Sequence, residues 1–161
     1  MWTPKKIVLK NFMSHESTEF EFVNKRAVMV FGENLTDKGQ KSNGSGKSAL
    51  IEAISLLLIG TPLRNDVSTK ELVREGEGSF EILIELINAD QELSISRTVF
   101  SNTKSSELMI KMNGKIPKAL VVNSDKKVDV RDGEKFIIST LGISKDDLRN
   151  YFIISLSLIH I

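Results

Sequence analysis

The first thirty residues alternate in the manner of strands. Ile7, Leu9 and Phe12 open the chain, Phe20 and Phe22 alternate with Glu19 and Glu21, and Val28-Met29-Val30-Phe31 forms an unbroken apolar run. Alternation predicts a half-solvated strand, and the unbroken run predicts one buried on both faces, as at the centre of an α/β sheet. Residues 32–46 are polar and glycine-bearing, hence loop. The spacing then predicts a helix over Lys47 to Ile59, apolar except chiefly at Glu52 and Ser55 and therefore buried, with Gly60 and Pro62 ending it. A short helix is predicted over Ser68 to Arg74. Three strands follow, Ser79 to Ile87, Glu92 to Phe100 and Glu107 to Met112, as an antiparallel meander, and Asn113-Gly114 signals a type I′ turn. Helices are predicted over Asp132 to Leu141 and over Ser144 to Asn150, the second capped by Ser144, with a last strand over Tyr151 to Ser155.

Composition narrows the class. The chain has 161 residues, 40% hydrophobic and 27% charged, enough to bury a core and too apolar for a disordered segment. It has no Cys, which excludes disulfide frameworks, thiolate zinc sites and cysteine nucleophiles. The 22 basic and 21 acidic residues give a net charge of +1, so no global field draws the chain to nucleic acid or anionic lipid. The longest apolar stretch, near Ile54 to Ile59, is far short of the roughly 20 residues of a membrane helix. The opening Met1-Trp2-Thr3-Pro4 lacks the features of a signal peptide, and a cytoplasmic protein without membrane partners is expected.

The chemistry concentrates in Asn43-Gly44-Ser45-Gly46-Lys47-Ser48-Ala49, between the predicted buried strand and buried helix. Glycines let successive backbone N–H groups turn around a phosphate, and the helix N-terminus adds its positive dipole end. Lys47 is a mobile point charge suited to β and γ phosphates, and the Ser48 hydroxyl is a hard oxygen suited to Mg²⁺. The plain alternative is a glycine-rich strand-to-helix turn with an incidental lysine. The P-loop pattern asks for Gly five positions before Gly46, where this chain has Lys41; the Gly after the strand is Gly32. An insertion of nine residues near Leu35 to Ser42 accounts for the difference, and loop closure tolerates it because its cost grows only logarithmically.

Several residues together resemble the N-terminal lobe of SMC-like ATPases. They are Ile7 through His15, Phe20-Glu21-Phe22, Gly32-Glu33-Asn34 and Gly44 through Ile54, with weaker likeness at Leu72-Val73-Arg74, Ile95-Ser96-Arg97, Asn113-Gly114-Lys115 and Tyr151 to Ser155. In style they are similar to the SbcC-type subunits of repair nucleases and the large subunit of the tailed-phage recombination endonuclease. The resemblance implies an α/β fold, the N-terminal lobe of a P-loop, ABC-type ATPase head, with a mixed sheet and an antiparallel meander. It implies ATP and Mg²⁺ as cofactors, Asn43 through Ala49 around the phosphates, Lys47 as the catalytic cation and Ser48 on the metal. It further implies a second head copy as partner, a C-terminal lobe beyond a coiled coil, DNA, and a nuclease regulated by ATP-driven head closure. The hydrolytic carboxylates would lie in that other lobe.

The sequence departs from the family at Met13, where repair members often place Arg or Lys, and at the Gln expected just after the Tyr151 strand. Residues 1–155 are expected to form the lobe. Leu156 to Ile161 fits neither lid loop nor coiled coil and resembles an adapter-derived peptide, so a truncation tail is expected there. Two other readings stand beside repair: a chromosome-tethering head without a nuclease, and a P-loop kinase or GTPase, which lacks support from any Asn-Lys-x-Asp motif. His15 reads as a packing or hydrogen-bonding residue. Residues 104–131, with seven cations against three acids, read as a solvated hairpin or a DNA-phosphate patch. The lobe's apolar helix and strands are expected to want cover from the other half, leaving the isolated chain poorly soluble.

Overall fold

The computed structural model describes residues 1–22, 46–64, 66–103, 106–121 and 128–148. Five strands form one sheet in the order β2-β1-β3-β4-β5: β1 Thr3–Phe12, β2 His15–Glu21, β3 Ser79–Asn88, β4 Gln91–Phe100 and β5 Ser106–Met112. All neighbours are antiparallel. The meander is therefore continuous with the opening hairpin through β1 and β3, where Ile7 faces Ile84 and Leu9 faces Ile82. The predicted buried strand at residues 28–31 and the last strand at 151–155, which would make the sheet mixed, lie outside the described residues.

Alternation decides the faces. Ile7, Leu9, Phe80, Ile82, Ile84, Leu93, Ile95, Leu108 and Ile110 are buried on one side. Phe12 and Phe80 meet edge-to-face there, ring centroids 4.9 Å apart. At Asn113 and Gly114, φ values of 50° and 77° give the predicted turn its left-handed pair, closed by mutual Met112 and Lys115 backbone hydrogen bonds of 2.8 and 3.1 Å.

Helix α1, Lys47–Leu58, lies on the apolar face against β3 and β4, and α2, Val130–Leu141, lies beside it against β5. The predicted burial of α1 holds, but its polarity pattern is inverted. Glu52 and Ser55 are inside while Ile51 is 36% exposed. Each buried polar group has a partner in the chain that follows the helix: Glu52 Oε1 accepts from the Leu63 N–H at 2.8 Å, and the Ser55 hydroxyl donates to the Thr61 carbonyl at 3.1 Å. The expectation that α1 wants cover from elsewhere is corrected, since Ala53, Leu56 and Leu57 are fully buried within this chain.

Three boundaries move for local reasons. The predicted helix over Ser68 to Arg74 is a single 3-10 turn, Thr69–Leu72, held by the reciprocal Ser68–Glu71 capping box. Helix α2 starts two residues before its expected start because the Asp129 carboxylate accepts from the N–H groups of Arg131 and Asp132 at 2.9 and 3.2 Å. Of the helix predicted over Ser144 to Asn150, the described part is the turn α3, Lys145–Asp147, with Ser144 capping as expected. The Trp2 indole N–H donates to the Thr140 carbonyl at 3.0 Å and ties the start of β1 to the end of α2.

Candidate functional site

Of the seven residues predicted to hold phosphate, Gly46, Lys47, Ser48 and Ala49 are described; Asn43, Gly44 and Ser45 lie outside the described residues, as do the insertion at 35–42 and Gly32. Gly46 is the N-cap of α1 with φ 82°, in the left-handed region. A Cβ there would stand 2.6 Å from His15 Nε2 and 2.8 Å from Ser14 Oγ, so space and backbone both require glycine. The Gly46 carbonyl accepts from Ala49 N–H at 3.0 Å and closes the first turn.

That turn has the character of an anion site. Among the described residues no side chain caps α1, and no acidic residue stands in its own first turn, where the positive end of the helix dipole lies. Ala49 and Leu50 anchor it in the core, Lys47 is half-buried and Ser48 is exposed. A cation, a hydroxyl and the N–H groups of a rigidly held helix start thus share one edge of the molecule, a donor set that fits a phosphate with its Mg²⁺.

The β1–β2 turn packs on this edge. His15 Nε2 is 3.0 Å from the Gly46 carbonyl and Nδ1 is 2.8 Å from Thr18 Oγ1. Asn11 and Met13 both take positive φ, 50° and 52°, an uncommon conformation for non-glycine residues. The end of the 3-10 turn and the residues just after it hold them in it. Met13 N–H donates to the Leu72 carbonyl at 2.8 Å, Arg74 N–H to the Asn11 carbonyl at 2.9 Å, and the Arg74 guanidinium to Glu16 at 2.9 Å. Leu72-Val73-Arg74 is therefore a brace for the turn beside the P-loop. Nothing in the sequence pattern joins residues 15 and 46; the two-residue turn Met13-Ser14 before His15 was the available signal.

Comparison with known proteins is decisive here: residues 6–158 match the model of an AAA domain. The chain belongs to this AAA-domain family. Its relatives include structural maintenance of chromosomes protein 6 of Saccharomyces cerevisiae, 31% identical over 83% of this chain and 11% of that protein. They also include the DNA double-strand break repair Rad50 ATPase of Saccharolobus solfataricus, 30% identical over 88% of this chain and 14% of the relative. The structure of the recombination mediator protein RecF with ATP superimposes with a TM-score of 0.51 at 30% identity, covering 73% of this chain and 28% of that one. This AAA domain thus has the P-loop ATPase-like fold, similar to SMC-like DNA-repair ATPases, and spans about a tenth to a quarter of the relatives' lengths.

The basic stretch 104–131 does not form one surface among the described residues. Lys111 pairs with Ser94 on the open face of the sheet, whereas Arg131 belongs to α2 on the opposite face. Among the described residues the open face carries Lys5, Lys6, Lys10 and Lys111 against six glutamates, including Glu19, Glu81, Glu85 and Glu92, a net negative surface that disfavours phosphate. No described helix is long and apolar enough to cross a membrane.

Proposed function

We propose that the chain is the ATP-binding N-terminal lobe, residues 1–155, of an SMC-like ATPase head that acts in DNA double-strand-break repair or recombination. The observation that carries this reading is the start of α1, where the left-handed Gly46 is followed by Lys47 and Ser48 on a buried helix body, in an AAA-domain family with ATPase relatives. Asn43, Gly44, Ser45 and Gly46 supply backbone N–H groups to the phosphates, Lys47 neutralises charge that develops on them, and Ala49 N–H remains with the helix. The Ser48 hydroxyl takes Mg²⁺, which when bound neutralises phosphate charge and polarises it for attack. The γ-phosphate bridges this lobe to a second copy of the head, so its loss on hydrolysis shifts the population toward open heads and regulates a nuclease partner on DNA. The Rad50 and RecF relatives support repair and recombination.

Lys47→Ala in the full-length protein is expected to weaken Mg·ATP binding at least about tenfold and to abolish nucleotide-dependent dimerisation, with the melting temperature little changed. Calorimetry reads the first and light scattering the second; unchanged ATP affinity overturns the assignment. The similarity to structural maintenance of chromosomes protein 6 favours the second reading, a chromosome-tethering head without a nuclease. A nuclease that co-purifies with the full-length protein decides for repair.

A further inference from the structure

The Gly46 carbonyl can only accept, so the ring nitrogen 3.0 Å from it, His15 Nε2, must carry the proton. In the neutral ring Nδ1 is then an acceptor, and Thr18 Oγ1 at 2.8 Å donates to it. Thr18 therefore selects the tautomer that lets His15 grip the P-loop, as a hydrogen bond to one ring nitrogen generally sets the role of the other. The grip falls on the residue whose left-handed φ of 82° turns the chain from loop into helix. That carbonyl already receives the Ala49 N–H at 3.0 Å, so both of its lone pairs are in use.

The imidazole is itself held from behind. Its turn is fixed by Met13 N–H on the Leu72 carbonyl and Arg74 N–H on the Asn11 carbonyl, and the positive φ of Asn11 and Met13 persists because these bonds over-determine it. His15 is half-buried, and a Cβ on Gly46 would lie 2.6 Å from Nε2, so ring and loop are in close contact.

We propose that His15 is a positioning residue for the nucleotide site: through its Nε2–H···O=C bond to Gly46 it fixes the plane of the Gly46–Lys47 peptide and so aims the Lys47 N–H and side chain at the phosphates. This rests on the P-loop reading above and deepens it. Thr18 acts one step further back, through the ring. The peptide plane is what matters because the carbonyl of Gly46 and the N–H of Lys47 belong to the same rigid unit. A site accurate enough to bind phosphate through backbone N–H groups needs that unit held by a second contact behind it.

The test uses the full-length protein with four variants, Lys47→Ala, His15→Ala, His15→Gln and Thr18→Val, and reads calorimetric Kd for Mg·ATP together with the melting temperature. His15→Ala is expected to weaken ATP binding about three- to tenfold, the size of one net hydrogen bond. His15→Gln, whose amide N–H reaches the same carbonyl, is expected to restore binding to within about twofold, and Thr18→Val to weaken it about twofold to threefold. A merely structural histidine predicts instead a lower melting temperature with unchanged Kd well below it, and no rescue by Gln; that result overturns the proposal. If His15→Ala does not fold, Thr18→Val decides alone, and an unchanged Kd in it overturns the proposal. The two failures are separable: Lys47→Ala without effect sinks the P-loop reading itself, whereas Lys47→Ala with lost binding and silent His15 and Thr18 variants sinks only the role of His15.

Discussion

Arg97 is placed in the core by the same alternation that buries its neighbours Leu93, Ile95 and Val99, and it is only 3% exposed. Its guanidinium donates to Glu134 Oε1 at 2.9 Å, while Lys145 Nζ donates to the other oxygen at 2.9 Å. Nε of Arg97 is buried without a hydrogen-bond partner, so the arrangement relies on the carboxylate to hold the charge. Burial pushes the Glu134 carboxyl up, but the hydrogen bonds from Lys145 and Arg97, with their charges, outweigh it and hold the carboxyl below its ordinary value. A carboxylate lowered in the fold stabilises the protein above its unfolded pKa and loses that contribution as pH falls through the folded one. Glu134→Gln is accordingly expected to cost about 1–2 kcal/mol at pH 7, less than a fully buried pair because Glu134 is partly wet. Denaturant melts of the two proteins should begin to converge as pH falls below about 4.5 and meet only below the lowered folded value, where the native wild-type carboxyl is protonated too. Parallel curves down to acid would show that the carboxylate is not the group responsible. The burial of Arg97 was legible in the strand period; its partner on α2, thirty-seven residues away, was not, because period carries no information between elements.

Elements meet where small residues allow it. Gly133 stands in α2, and a Cβ on it would lie 2.6 Å from Leu108 Cδ2 and 3.2 Å from Ile110 Cδ1, so α2 approaches β5 as closely as backbone can. Gly133→Ala gains about 1 kcal/mol of helix propensity and meets about 1–3 kcal/mol of overpacking, since Leu108 is itself buried and cannot swing away freely. The net expectation is a loss of about 1 kcal/mol and a melting temperature lower by a few degrees, read by thermal melts; a gain would mean that α2 shifts outward at no cost. At this scale the strands and α1 were legible because their apolar periods are long and unambiguous. The 3-10 turn Thr69–Leu72 and the early start of α2 were not: one depends on a four-residue capping box and the other on an Asp129 carboxylate choosing its N–H partners. The candidate site was legible only in part. Gly46, Lys47 and Ser48 announced it by spacing, while His15 joins it only through the folding back of the β1–β2 hairpin.

For the molecule as a whole, one sheet face is covered by α1 and α2, and the other carries charged rows with few large apolar groups, of which Met109 is 45% exposed. The core of Ile7, Leu9, Phe12, Ala53, Leu56, Leu57, Ile82 and Ile95 closes within this chain. A core of this extent within one chain is expected to unfold cooperatively. Hydrolysis is a separate matter, because on the proposed reading the P-loop edge supplies a cation, a hydroxyl and N–H groups for phosphate, and a water still has to be activated. If that activation comes from a second head and from a lobe outside these residues, the isolated chain turns ATP over no faster than buffer does. The full-length protein, in contrast, should show specific activity that rises with its concentration until dimers saturate, and falls to background in Lys47→Ala. A phosphate-release assay across a concentration series reads both. Turnover by the isolated chain that disappears in Lys47→Ala would place the hydrolytic group inside these 161 residues and overturn the composite-site reading, whereas activity independent of concentration in the full-length protein would keep the lobe and remove the second copy.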